Sequence, residues 1–437
     1  MPLIRSIGKW ALVGLMVNAM IGSGIFGVPG ELIKLVGAAS PGAFIVAGLA
    51  MTAIVACFVE VASQFPAAGG PYLYARTAFG PLAGLQVAWF SALAPIAAAA
   101  AQANLFVNYL AGLQPAFGEG LARYTVIAVL IGVPAAANSI GANAGKIVSS
   151  ILVIVKLLPL AVLIAVGLTH VGVSHEQAVK VTSTAYGPSA WFTAALLAAV
   201  CFGGFEDPLA TAGEVKDPRR SIGFALGVSL VICIALYALI QLITVRTLGP
   251  VATPRPLATV AGALLGSGGA AFLACAVMVS TAGAISAVIL SVPRIVFALA
   301  SKGDIAGALA QVRGPRNSPV RAILLVSSLI FGLAISGTYR WALAVTAGAT
   351  MVMCGSVCAC LIRLRKLQYD SHATRIRFGI PVAVLGVILS LLLVAQLEPR
   401  EAALIWVVVL LAGAHWLWVR QITRTRSRLS SPTVRRV

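Results

Sequence analysis

Charged and aromatic residues are scarce in this sequence. Only 10% of its 437 residues are Asp, Glu, Lys or Arg, and 7% are aromatic. A soluble domain of this length carries considerably more charge on its surface, so the composition excludes a soluble globular protein. The four histidines are scattered without an H-E-x-x-H motif, and no G-x-x-x-x-G-K-[S/T] motif occurs. Neither a zinc hydrolase nor a P-loop ATPase is therefore supported.

Cysteine is present but gives no sign of a metal site. Nearly all seven cysteines fall within apolar runs, and Cys354, Cys358 and Cys360 lie together on one of them. We interpret them as small buried hydrophobic residues, with a metal site or a disulfide as the alternative. The sequence also shows no nucleophile–base pair at depth. We therefore predict no metal, no cofactor and no enzymatic activity.

Long apolar runs dominate the chain, which is 60% hydrophobic with a mean hydropathy of +0.99. Each run of about 20 residues is long enough to cross roughly 30 Å of hydrocarbon. The fold class predicted is an all-α integral membrane protein. Its twelve transmembrane helices are expected near 10–35, 43–64, 82–112, 123–140, 146–169, 191–213, 221–247, 268–298, 320–337, 340–362, 378–396 and 401–420.

The positive charge follows a pattern along these spans. Most of the 31 lysines and arginines fall in the even-numbered loops and the termini. By the positive-inside rule this predicts a multi-pass protein of a cell membrane, the inner membrane of a bacterium, with both termini cytoplasmic. The net charge of +19 is thus a topology signal and does not predict nucleic-acid binding. The basic tail 421–437 is either solvated or in contact with anionic membrane lipid.

Two spans contain interruptions where a continuous helix is expected. The first is "NAMIGSGIFGVPGEL" at 18–32, and the second is "AVCFGGFEDPLATAGEVKDPRR" at 199–220, five spans later. Irregular backbone at membrane depth persists only where it is buried in protein or lines a cavity. Paired interruptions in the two halves of a chain are typical of a transporter binding site near the bilayer midplane.

A broken helix offers two kinds of unpaired backbone group. The N–H groups that start one half-helix suit a carboxylate, and the C=O groups that end the other suit an ammonium. A zwitterionic α-amino acid presents both charges a few bonds apart. The alternative is that these glycines and prolines only allow close helix packing.

Four motifs carry a resemblance to a known family: "MIGSGIFGVPG", "FPAAGGPYLYARTAFGPLAG", "FGGFEDPLATAGEVKDPRRSI" and "ILSVPRIVFALASKGD". In this order they resemble the amino acid–polyamine–organocation (APC) superfamily of permeases. The resemblance implies a 5+5 inverted repeat with broken helices 1 and 6. It predicts a first repeat at 1–169, a second at 191–366, peripheral helices at 378–420 and a basic cytoplasmic tail at 421–437.

The resemblance also implies the residues that bind substrate. One group matches the carboxylate-binding motif of helix 1, and the other matches the ammonium-binding break of helix 6, with Phe202 as an aromatic gate and Glu206 at a common acidic position. Asp207 departs from the family pattern; it is either a helix cap or a ligand for a second cationic group. The predicted substrate-binding residues are Ile21, Gly22, Ser23, Gly24, Ile25, Cys201, Phe202, Gly203, Gly204 and Glu206.

One lysine lies deep in the fifth span. Lys156 is ten residues, about 15 Å of helix, beyond Lys146 at the predicted cytoplasmic edge. Ionisable groups at this depth are functional by default. The resemblance implies that Lys156 stands where sodium-coupled relatives bind sodium and contacts helix-1 carbonyls, with Ser286 of helix 8 (and Ser280 and Thr281) as hydroxyl partners. The alternative is a structural lysine that never titrates.

The function predicted is secondary transport of amino acids, neutral L-amino acids in particular. Lys156 favours a sodium-independent mechanism, either proton-coupled symport or exchange. If Glu206 or Asp207 faces the site, a cationic amino acid or amine exchanger becomes the alternative. A non-transporting amino acid sensor on the same fold is a further alternative. The expected partners are therefore an amino acid, protons and membrane lipid.

Overall fold

The fold is built from α-helices throughout the described residues. The computed structural model describes residues 8–22, 24–65, 70–140, 145–170, 186–206, 215–249, 251–301, 303–312, 318–367 and 374–429. In this part of the chain the helices are α1 (Lys9–Met20), α2 (Gly24–Val36), α3 (Ser40–Ser63), α4 (Gly70–Phe79), α5 (Pro81–Leu113), α6 (Gly120–Ile140), α7 (Gly145–His170), α8 (Pro188–Val200), α9 (Pro218–Leu248), α10 (Pro256–Ser301), α11 (Val320–Ser336), α12 (Tyr339–Leu367), α13 (Gly379–Val394) and α14 (Pro399–Leu429).

Many of these helices are suited to a membrane. Seven helical stretches in the described residues are long and apolar enough to cross a bilayer, and five shorter apolar helices accompany them. Within its most apolar 18-residue window, α12 is 72% buried, whereas α6 is 17% and α14 is 22% buried. We infer that α12 lies inside the bundle, surrounded by other helices. The helices α6 and α14 lie at its periphery, where their exposed apolar side chains can face lipid.

Two segments differ from the sequence prediction. The stretch before 268 was expected to be a loop, yet α10 already begins at Pro256, where a proline at the first helical position is favourable. Gly266, with φ of +74°, divides α10 into two parts. The predicted loop after α3 contains the short helix α4. In the sixth span α8 ends at Val200, where the interruption is predicted, and 207–214 lie outside the described residues.

A buried ion pair fastens α3 to α12. The Glu60 side chain is 1% exposed and accepts two hydrogen bonds from the Arg365 guanidinium, at 2.5 and 2.6 Å. Arg365 also donates to the carbonyl of Ile376 at 2.7 Å, and the Ile376 amide donates to Glu60 at 2.8 Å. The network therefore joins α3 and α12 to the segment that enters α13.

We expect the loss of one partner of this network to destabilise the protein. Arg365→Met leaves the Glu60 carboxylate buried and unpaired, at a cost of about 3 kcal/mol. Thermal unfolding of the detergent-solubilised protein measures the effect, and Glu60→Gln combined with Arg365→Met is expected to regain part of the loss. Arg340→Met, which breaks the exposed pair with Glu398, is the control and should change stability by less than about 1 kcal/mol. Equal stability of Arg365→Met and the wild type would contradict the role of the network.

A second ionic contact joins α4 to the segment after α10. The Tyr72 hydroxyl donates to Asp304 at 2.9 Å, and Arg76 lies 3.3 Å from the same carboxylate. Burial, together with the hydrogen bond to Asp304, raises the pKa of Tyr72 above its ordinary value. The tyrosine therefore keeps its proton as a donor at neutral pH. This contact lies at the predicted cytoplasmic end of the bundle.

Candidate functional site

The two interrupted helices meet at their joints. The first joint separates the end of α1 at Met20 from the start of α2 at Gly24, and the second follows the end of α8 at Val200. A Cβ atom added to Gly24 would lie 3.0 Å from Cys201 Sγ. One added to Gly204 would lie 2.7 Å from the carbonyl oxygen of Ala19. Each joint therefore contacts the other through a glycine.

Gly204 occupies a position where glycine is required for two reasons. Its φ of +93° lies in the region that residues with a Cβ atom rarely adopt. Its Cα also faces the Ala19 carbonyl too closely for any side chain. The amide of Gly204 donates to Glu206 Oε2 at 3.0 Å, so this carboxylate folds back on its own joint.

Several carbonyl groups at the joints have partners from neighbouring helices. Tyr237 of α9 places its hydroxyl 2.8 Å from the carbonyl oxygen of Met20 and 2.9 Å from that of Cys201. A tyrosine hydroxyl has one proton to donate, so the two carbonyls share a single donor. The Met20 carbonyl also accepts from the Gly22 amide at 2.6 Å, so the Cys201 carbonyl has the greater capacity to accept from a ligand. Met20 is the last residue of α1, and Cys201 is the first residue after α8.

Amide groups with the opposite polarity begin α2. The first four N–H groups of an α-helix have no partner within the helix, and in α2 these belong to Gly24, Ile25, Phe26 and Gly27. They lie at the positive end of the helix dipole, which favours a negative group. Ser23, predicted to contribute to the same motif, lies outside the described residues. The two joints together thus combine N–H donors without helical partners on α2 with carbonyl acceptors at the ends of α1 and α8.

Phe202 lies in an aromatic cluster. Its ring is completely buried and is 6.5 Å from the ring centre of Phe44 and 5.2 Å from that of Tyr237. Phe44 and Tyr237 are themselves 5.5 Å apart. The cluster therefore fixes the second joint against α3 and α9. The neighbouring predicted residues Ile21, Ile25 and Cys201 are also almost fully buried.

Lys156 holds the end of α1. Its Nζ atom donates to the carbonyl oxygen of Asn18 at 3.1 Å and to Asn18 Oδ1 at 3.3 Å. Asn18 lies in the last turn of α1, where carbonyls lack helical partners and the helix dipole is negative. The ammonium thus satisfies a carbonyl without a helical partner, two residues before the end of α1. The sequence prediction named the helix-1 carbonyls but not Asn18, the first residue of the motif stretch.

The predicted hydroxyl partners on α10 have a less direct relation to Lys156. Ser286 is half-buried on α10. The Thr281 hydroxyl donates within its own helix to Val277 and Met278, at 2.9 and 3.0 Å. Ser280 is buried, and its hydroxyl has no hydrogen-bond partner among the described residues. In that same part of the chain, the oxygens that accept from Lys156 both belong to Asn18.

Three further side chains support α2 and were not found from the sequence. Tyr109 donates to the carbonyl of Phe26 at 2.7 Å, and Gln241 donates to the carbonyl of Pro29 at 3.2 Å. Tyr339 packs so closely on Gly27 that an added Cβ would lie 2.4 Å from its hydroxyl. No periodicity in the sequence indicates these contacts, because each comes from a helix distant in the chain.

Comparisons with known proteins identify the family of the chain. A family model described as amino acid permease matches residues 7–415. The chain is 28% identical over 314 residues to the serine/threonine exchanger SteT of Bacillus subtilis, covering 68% of each protein. It is 28% identical over 399 residues to the vacuolar cationic amino acid transporter 4 of Arabidopsis thaliana, covering 84% of this chain and 64% of the relative.

A third relative has no assigned substrate. The chain is 27% identical over 358 residues to an uncharacterized transporter of Mycobacterium tuberculosis, covering 80% of this chain and 78% of the relative. The family match spans both interrupted helices and Lys156. The chain therefore belongs to the amino acid permease family of the APC superfamily, whose motifs the sequence carries.

Proposed function

We propose that this permease is a secondary transporter that binds the backbone of an amino acid between the two joints. The substrate carboxylate accepts from the amides of Gly24 and Ile25 at the start of α2. The ammonium donates to a carbonyl beside Tyr237, at Cys201 or Met20. The single observation that carries the proposal is that the joints contact each other at Gly24–Cys201 and Gly204–Ala19.

Lys156 has a defined part in this mechanism. Because its ammonium bonds to Asn18, it fixes the end of α1 relative to α7 without a metal ion. Movement of α1 during alternating access has to lengthen or break these bonds. This supports sodium-independent transport, either proton-coupled or by exchange. Ser286 of α10 remains the predicted hydroxyl partner in coupling.

The architecture proposed for the whole chain has twelve spans. The pair α1 and α2 forms the first span, and α8 with the residues after it forms the sixth, so that each half begins with an interrupted helix. This supports inverted repeats at 1–169 and 191–366, followed by peripheral helices at 378–420 and the tail 421–437. The proposed location is the plasma membrane. The distribution of Lys and Arg supports an orientation with both termini in the cytoplasm.

Neutral amino acids are the proposed substrates. Glu206 already accepts from the amide of Gly204, which accounts for one of its oxygens at the joint, and Asp207 lies outside the described residues. The Bacillus relative is named a serine/threonine exchanger, which favours small neutral side chains. The Arabidopsis relative is named a cationic amino acid transporter, which keeps cationic substrates as the second candidate.

Counterflow in proteoliposomes tests the proposal. Vesicles loaded with unlabelled L-serine are expected to accumulate external radiolabelled L-serine, and excess L-threonine or L-alanine to compete more strongly than L-lysine or L-arginine. Replacing sodium by choline is expected to leave the rate unchanged, and a pH gradient separates symport from exchange. Protein-free vesicles are the control. Binding of amino acid without accelerated exchange would show a sensor, and strong competition by L-lysine alone would show a cationic transporter.

A further inference from the structure

A cavity of about 470 Å³ lies apart from the joints, at the opposite end of the bundle from the Glu60 network. One face of α8 lines it from Ser189 to Leu197, together with Leu35 at the end of α2, the starts of α12 and α14 and the α13–α14 connection. Leu197 is one helical turn before Cys201. The cavity therefore follows α8 for about 12 Å from its first turn towards the second joint.

The charges on the cavity wall do not cancel. Arg340 and Glu398 pair at 3.6 Å, with side chains that are 42% and 67% exposed. Glu401 lines the same cavity and is only 5% exposed. Arg340 acts on both Glu398 and Glu401, so the three side chains together leave the wall with one excess negative charge.

One oxygen of Glu401 is unsatisfied. Glu401 Oε2 is buried and has no hydrogen-bond partner among the described residues. A buried acceptor without a donor is costly, and the excess negative charge of the wall adds to that cost. A small cation with N–H donors relieves both. A primary ammonium has this chemistry, and Gln396, Ser189 and Thr193 offer further oxygen acceptors around it.

We propose that this cavity is a second binding site, distinct from the joints, for the primary ammonium group of a small molecule, with Glu401 as its counter-ion. The ammonium belongs either to the transported amino acid on its way to the joints or to a separate amine. The assignment to the transported amino acid rests on the proposed function. The ammonium site itself is inferred from the cavity, the excess negative charge and the unsatisfied oxygen of Glu401.

Thiol labelling tests the site without any need for transport. Cys275 is exposed and the other described cysteines are buried, so Cys275→Ser gives a quiet background into which Thr193→Cys is introduced. The purified protein in detergent is treated with 2-aminoethyl and 2-sulfonatoethyl methanethiosulfonate, with rates normalised to a free thiol. We expect the cationic reagent to react roughly fivefold faster than the anionic one, because Glu401 attracts it.

Protection and charge removal complete the test. Glu401→Gln is expected to abolish the preference, whereas Glu119→Gln, at an exposed glutamate outside the cavity, should leave it intact. Millimolar n-butylammonium is expected to slow the labelling of Thr193→Cys when Glu401 is present, but not when Glu401→Gln is added. Protection by L-serine as well would assign the site to the transport route, and protection by n-butylammonium alone would assign it to a separate amine. An unreactive Thr193→Cys, or a charge preference that survives Glu401→Gln, would overturn the proposal.

Discussion

Lys156→Met is expected to reduce amino acid exchange by about tenfold to a hundredfold, since losing a charge-assisted hydrogen bond to a buried acceptor costs 1.5–3 kcal/mol. The methionine fills similar space but cannot donate to Asn18, whose carbonyl then lacks a partner at the end of α1. We expect α1 to separate from α7 more readily, so the closed state is less populated. Counterflow of labelled L-serine measures the loss.

Asn18→Ala separates the two bonds that Lys156 makes. This variant removes the bond to Oδ1 at 3.3 Å but keeps the bond to the backbone carbonyl at 3.1 Å. Its effect should therefore be smaller than that of Lys156→Met. Lys9→Met, at an exposed lysine at the start of the same helix, is the matched control and should exchange at the wild-type rate.

The result also decides between the two interpretations of Lys156. If Lys156 is only structural, Lys156→Met lowers the thermal stability. The protein that remains folded then keeps the wild-type affinity for L-serine and the wild-type pH dependence of exchange. If it couples the movement of α1 to transport, Lys156→Arg recovers stability but not the rate, because a planar guanidinium cannot replace a compact ammonium at one carbonyl. Full exchange by Lys156→Met with unchanged affinity would contradict the coupling role.

Much of the fold was predictable because its signals are local. Apolar runs marked the spans, and the Gly-rich stretches marked the interruption after Met20 and the one after Val200. The start of α10 was missed because the apolar run there follows the Pro-rich stretch 249–256, which on its own indicates a loop. Gly266 then supplies the turn that separates the two parts of α10.

The contacts of the candidate site were less predictable because they are not local. The sequence indicated Lys156 by its depth and by the resemblance, which implied helix-1 carbonyls but not the partner Asn18, 138 positions away along the chain. Tyr237 looks like an ordinary aromatic residue of an apolar helix, yet it bridges both joints. Only the hydrogen bonds from Lys156 of α7 and Tyr237 of α9 to the end of α1 reveal these partners.

Gly204→Ala is expected to abolish exchange while leaving a folded protein. The added methyl group would lie 2.7 Å from the Ala19 carbonyl oxygen, which is backbone and has little room to move. Alanine at φ of +93° is also strained. Two such costs, each of order 1–3 kcal/mol, push the joints apart and misplace the groups that bind the substrate. Equilibrium binding of labelled L-serine to the purified variant measures the loss directly.

Gly227→Ala is the matched control for this substitution. Gly227 is an exposed residue of α9 with nothing within 4 Å of an added Cβ, and alanine is the better helix former by about 1 kcal/mol. It should therefore bind and exchange like the wild type, with equal or higher thermal stability. Since both variants add one methyl group, a difference in binding between them comes from the joint. Normal binding by Gly204→Ala would show that the contact with Ala19 is dispensable. It would also contradict the proposal that substrate recognition depends on the contact between the two joints.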